Sequence, residues 1–91
     1  MAQTFTNQVA SQALRGQDVI VTLDSNDALN LDLLSIGQSA WIDSTSIYGV
    51  VSFVDYYGTT FHITPLQPDF SFQSPTQLGY LKNGEDVNIE L

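Results

Sequence analysis

The sequence contains no cysteine, and among its 91 residues only Arg15 and Lys82 carry a cationic side chain of the lysine or arginine type. The first absence removes disulfides, thiolate metal sites and a thiol nucleophile together. It points to a reducing compartment, or to an assembly whose neighbouring subunits add stability that so short a chain has difficulty generating alone. The second absence leaves ten carboxylates nearly unopposed, for a formal net charge of −8. Long-range electrostatics then work against a phosphate backbone, so no direct nucleic-acid contact is expected. Charged residues are scarce overall, at 13%, and Gln, Asn, Ser and Thr supply the polarity. Such a surface sheds few hydrated charges on docking, which suits contact with another protein.

Long apolar runs are missing too. No stretch approaches the ~20 residues needed to cross a bilayer, so no membrane partner is expected. The opening MAQTFTNQVASQALRGQ has neither a basic start nor an apolar centre and does not read as a signal peptide. The protein is expected inside a cell, or in a particle assembled in the host cytoplasm.

Signatures of chemistry are equally sparse. No glycine-rich phosphate loop, GxSxG or HExxH is present. Asp24, Asn26, Asp27 and Asp32 imitate a calcium loop only in outline. The fifth, sixth and twelfth positions counted from Asp24 hold Ala28, Leu29 and Ser35, where an EF-hand needs an oxygen ligand, glycine and glutamate. Asp24 and Asp27 read instead as turn caps. His62 is the single histidine and falls on the same strand face as Ser52, but mid-sheet pairing offers no strained elbow or oxyanion donors. Neither catalysis nor a cofactor is expected.

What is present is strand signal. Residues 1–17 are polar, with Phe5, Val9, Ala10, Ala13 and Leu14 widely spaced; they read as an N-terminal arm, extended or briefly helical, that orders against a partner. Residues 18–91 read as one small β domain. DVIVTLD places Val19, Val21 and Leu23 on one face, SNDALNLDLLS is a loop with a helical turn, and IGQSAWID is a strand opened by Gly37. In SIYGVVSFVDYYGTTFHITPLQP, a three-residue loop Tyr56-Tyr57-Gly58 with glycine at positive φ would set Phe53 opposite Phe61 and Val51 opposite Ile63. Asn83-Gly84 signals a second hairpin, with Tyr80 opposite Val87. The expected architecture is all-β: a barrel of five to six short strands closed by pairing first with last. SH3-like is preferred to OB-like, since a central tight hairpin follows a long early loop.

The aromatics carry the functional expectation. Tyr56 and Tyr57 at a turn tip offer large contact area at low entropic cost; alternatively one folds back and the other covers a loop. Trp41 and Tyr48 are expected on or beside the core. Phe70 and Phe72 belong either to a strand or to a projecting loop. Phe5, Val9, Leu14, Tyr56, Tyr57, Phe70 and Phe72 are thus the candidate protein-interface residues.

The stretches IGQSAWID, IYGVVSFVDYYGTTFHITPLQP and GYLKNGEDVNIEL, in a lysine-poor, Gln/Ser/Thr-rich background, resemble the small β-barrel accessory proteins of tailed bacteriophage particles. Capsid decoration or cement proteins and head–tail fittings are examples. The resemblance implies a virion protein lying on major capsid subunits, often as a homo-oligomeric trimer, bridging their joints. It fixes no interface position. An SH3-like adaptor that binds a basic or proline-containing peptide, and an acidic inhibitor that imitates nucleic acid, are the competing readings.

Overall fold

A computed structural model of the chain describes residues 1–13, 17–42, 47–66 and 79–91. Its elements in chain order are β1 (Ala2–Thr6), β2 (Ser11–Ala13), β3 (Val19–Thr22), α1 (Ser25–Ala28), a 3₁₀ turn (Leu31–Leu33), β4 (Ser39–Ile42), β5 (Ile47–Asp55), β6 (Thr60–Pro65), β7 (Gly79–Leu81) and β8 (Asp86–Glu90). A six-stranded antiparallel sheet runs in the order β1-β8-β4-β5-β6-β3, and β2 pairs with β7 in a smaller one. The all-β expectation holds.

Period-two patterning decides which way each strand faces. Val19 and Val21 on β3, Ala40 and Ile42 on β4, Phe61 and Ile63 on β6, and Val87 and Ile89 on β8 are all buried. The two ends of the sheet order meet across the interior. The ring of Phe5 on β1 packs edge-on against Phe61 on β6, centroids 5.3 Å apart. Just beyond β1, the Gln8 N–H donates to Thr22 O at 2.8 Å. The sheet therefore curls on itself, as its intrinsic twist favours, and takes on the character of a barrel.

Asn7 fastens this closure. Among the described residues it is the buried polar one, and both ends of its side-chain amide are bonded. Nδ2 donates to Val9 O and to Lys82 O, both at 2.8 Å, while Oδ1 accepts the Thr22 N–H at 3.0 Å. One amide thus joins the end of β1, the end of β3 and the turn before β8.

The arm expected over residues 1–17 is corrected by this arrangement. Residues 2–6 form an edge strand of the main sheet, with Phe5 opposite Val87. Thr4 Oγ1 and Thr6 Oγ1 donate across the pair to Asn88 Oδ1 and Asp86 Oδ1, at 2.9 and 3.0 Å. Phe5, expected to face a partner, is wholly buried. Wide spacing of apolar residues concealed a strand that contributes only one side chain to the core. The first-with-last pairing expected between the strand at Val19 and the final strand is corrected too: β3 pairs with β6, and the partner of β8 on that flank is the unforeseen β1.

The central hairpin keeps one expected pair and loses another. Val51 stands opposite Ile63, but a bulge between Val51 and Phe53 shifts the register, so that Phe53 faces His62 and Val54 faces Phe61. The bulge turns Phe53 to the outer face. The loop holds four residues, 56–59, and the positive φ (+52°) falls on Thr59 and not on Gly58. At Gly58 a Cβ would lie 2.6 Å from Asp55 Oδ2, so a larger residue there would push on that carboxylate. That carboxylate accepts the Tyr57 and Gly58 N–H groups through Oδ1, at 3.1 and 3.0 Å, and so builds the turn. At the other end of β5, Gly49 is buried where a Cβ would come within 2.9 Å of Pro65 Cα.

The Asn83-Gly84 turn forms, with Gly84 at φ +91° and the Glu85 N–H on Lys82 O at 3.3 Å. Its flanking strands nevertheless part. β7 goes to β2, with Tyr80 opposite Gln12, while β8 lies between β1 and β4. The expected Tyr80–Val87 pair is replaced by Phe5–Val87.

Between β3 and β4 lie α1 and the 3₁₀ turn. Asp24 caps α1 by accepting the Asp27 N–H on Oδ1 at 2.8 Å, as the sequence suggested. Leu31 and Leu34 are buried and join the core cluster.

Candidate functional site

The outer face of the sheet brings His62 into a polar cluster. Asp18, just ahead of β3, accepts Thr64 Oγ1 on Oδ1 at 2.7 Å and Ser52 Oγ on Oδ2 at 3.3 Å. His62 Nδ1 stands 3.8 Å from the same Oδ2. A serine, a histidine and an aspartate therefore gather, but not in the order that nucleophilic catalysis needs. The imidazole must lie between hydroxyl and carboxylate to take the hydroxyl proton; here the carboxylate occupies the middle. Ser52 Oγ has His62 O, at 3.4 Å, as its other partner. The bonds of the cluster tie the approach to β3 onto β5 and β6. Among the described residues no group of three His, Asp or Glu is gathered in a way that could hold a metal ion.

The same face carries large apolar side chains in water. Ile20, His62 and Phe53 form a row across β3, β6 and β5, and the Phe53 ring meets the imidazole edge-on at 5.1 Å. Farther along, Trp41 is half-buried opposite Tyr48, and the Leu66 N–H donates to Tyr48 O. Tyr48 and Leu66 are exposed. Tyr48, expected on or beside the core, belongs instead to this outer surface, because inward positions on β5 fall at Gly49 and Val51.

A second apolar region lies at the loop end of the barrel. The segment joining β3 to β4 is pinned to the β5–β6 hairpin at both of its ends. The Leu23 N–H donates to Thr59 O at 2.8 Å, and the Gly37 N–H donates to Val51 O at 2.8 Å. Leu31 and Leu34 use the inward side of this segment, so Leu29, Leu33 and Ile36 are left outside, with Leu29 and Ile36 at 77% and 72% exposure. Beside them the hairpin tip projects Tyr56, 57% exposed, and Tyr57, which touches nothing that shields it from solvent. Neither tyrosine folds back. The turn geometry imposed by Asp55 holds the backbone from which both emerge.

Carboxylates surround this end. Asp24, Asp27 and Asp32 sit on the β3–β4 segment, Asp55 at the hairpin, and Glu85 and Asp86 where β8 begins opposite Thr6. They are six of the ten acidic residues. Asp27 also reaches β1, where its Oδ2 accepts the Thr6 N–H at 2.8 Å.

Of the residues expected at an interface, Tyr56, Tyr57 and Val9 are exposed, Phe5 is not, and Leu14, Phe70 and Phe72 lie outside the described residues. Sequence reasoning missed Leu29, Ile36 and Phe53. Leu29 and Ile36 belong to a leucine-rich loop in which periodicity could not separate the buried positions from the outer surface. No protein-family model, curated protein or solved structure matches the chain.

Proposed function

We propose that this chain is a non-enzymatic structural subunit of a larger protein assembly, which it stabilises by docking through exposed aromatic and aliphatic side chains. The observation that carries the reading is the loop end, where Leu29, Ile36, Tyr56 and Tyr57 stand in water on a well-anchored scaffold. Single exposed apolar residues are ordinary; several on one end of so small a barrel favour a contact surface. Pre-ordering by Asp55 and by the pinned loop lowers the entropy lost on docking. The assembly that best suits a lysine-poor barrel of this pattern is the virion of a tailed bacteriophage. There the chain would serve as a decoration or cement protein on major capsid subunits, alone or as a trimer. The strand role of residues 2–6 removes Phe5 from that contact and shifts the weight to the loops.

Size-exclusion of the protein from its native source tests this. It should elute in a particle much larger than the free chain. Replacing Tyr56 and Tyr57 with serine should release it while circular dichroism stays unchanged. Elution of the parent protein as a free monomer, or undiminished association of the double variant, sinks the reading.

A further inference from the structure

The assembly reading leaves open what chemistry the docking partner presents, and the loop end narrows it. Two candidate occupants are a second copy of this chain and a different protein. A second copy would bring Asp24, Asp27, Asp32, Asp55, Glu85 and Asp86 against the same residues of its mate, with Lys82 as the lysine or arginine among the described residues. Like charges brought together while losing water repel, and that penalty grows as the contact dries. A partner of opposite charge meets the reverse situation: its cations find carboxylates already in place around an apolar centre.

Resting on that assembly reading, we infer that the loop end takes a segment of a partner protein in which Lys or Arg residues alternate with apolar ones. Leu29, Ile36, Tyr56 and Tyr57 receive the apolar side chains, which supply most of the affinity by leaving water. The surrounding carboxylates receive the cations, which set orientation and speed encounter. Asp24, Asp27 and Asp55 are held by backbone N–H groups and so keep fixed positions for a partner. A carboxylate that accepts one or two such bonds retains free lone pairs for a further donor. The tyrosine hydroxyls at the tip add adaptable polar contacts beside the rings.

The test uses the full-length chain labelled for amide NMR and three short synthetic peptides. One alternates lysine with leucine, one lysine with serine, and one glutamate with leucine. The lysine–leucine peptide should bind at least about tenfold tighter than either of the others, since both halves of the surface are then engaged. Shifts should centre on residues 24–36 and 53–59, and affinity should fall as salt is raised. Leu29→Ser combined with Tyr57→Ser should weaken binding about tenfold without lowering the melting temperature, because both side chains lie outside the core.

Equal affinity for the lysine–serine peptide would mean diffuse charge attraction and would overturn the inference. Tighter binding of the glutamate–leucine peptide, shifts centred elsewhere, or parental affinity in the double variant would do the same. So would concentration-dependent self-association of the chain alone that maps to these residues. The two readings fail separately. A native protein that elutes as a monomer removes the assembly role whatever the peptides do. Absence of peptide preference in a protein that still elutes with its assembly removes only the basic-segment partner.

Discussion

Asn7 shows how one residue can govern a fold without announcing itself. In sequence it is one polar residue among many in a polar stretch. In the structure it is fully buried and bonds to Val9 O, Lys82 O and the Thr22 N–H. Replacing it with leucine would keep the branched shape yet take the side-chain partner from Val9 O and the Thr22 N–H, while Lys82 O would keep the Glu85 N–H. Each orphaned group costs about 1–3 kcal/mol, so Asn7→Leu should lower unfolding free energy by about 2 kcal/mol or more in urea denaturation. A loss under about 1 kcal/mol would mean water replaces the amide readily. The tyrosines at 56 and 57 sit at the other extreme. Their type and their place at a turn tip made them readable as contact residues, and their exposure agrees, because a turn tip has no core to fold back onto. Gly58 was assigned the wrong duty. The positive φ falls on Thr59, and what a Cβ at Gly58 would meet is the Asp55 carboxylate that builds the turn.

At the scale of elements, β1 gives the sharpest test. Asn7 donates to Glu85 O, and Leu91 donates to Met1 O. Odd-numbered residues of β1 therefore direct their backbone groups to β8, and even-numbered ones direct theirs to the open edge. The Thr6 N–H confirms the alternation by reaching Asp27 instead of β8. Proline at position 4 should be tolerated, costing about 1 kcal/mol, because the N–H it removes faces the edge. Gln3→Pro should cost about 2–3 kcal/mol by deleting a ladder bond and misfitting the sheet. Thermal melts of the two variants decide the point; equal losses, or the reverse order, would refute the assigned alternation. The β5–β6 hairpin teaches a related lesson. Hydrophobic pattern alone favoured Phe53 opposite Phe61, since that makes one face wholly apolar. The bulge instead releases Phe53 to the outer face beside His62 and Ile20. Pattern reasoning assumes an uninterrupted ladder, and one inserted residue reverses which face each later residue takes.

For the whole molecule, the decisive feature is closure by the first strand. β1 covers the flank of β8, brings Phe5 against Phe61, and positions Asn7. Removing residues 2–6 would strip a fully buried phenylalanine and bare the edge of β8. Losing a buried phenylalanine alone costs about 3–5 kcal/mol, a large share of what so small a domain holds in reserve. The truncated chain should therefore unfold or aggregate at room temperature, seen as loss of amide dispersion by NMR. A truncated chain that kept a native spectrum would restore the picture of a detachable arm.

Composition, the strands around β3 to β6 and the Asp24 cap were all legible in the sequence. Each rests on local chemistry or on a period-two pattern that one segment carries by itself. Three things were decided only when the strands came together: the burial of Phe5 and Asn7, the outward turn of Phe53, and the joining of Leu29, Ile36, Tyr56 and Tyr57 at one end. The physical reason is common to them. A residue's exposure depends on which distant segment lies over it, and a closing sheet sets that choice through register and curvature, which no short window of sequence contains.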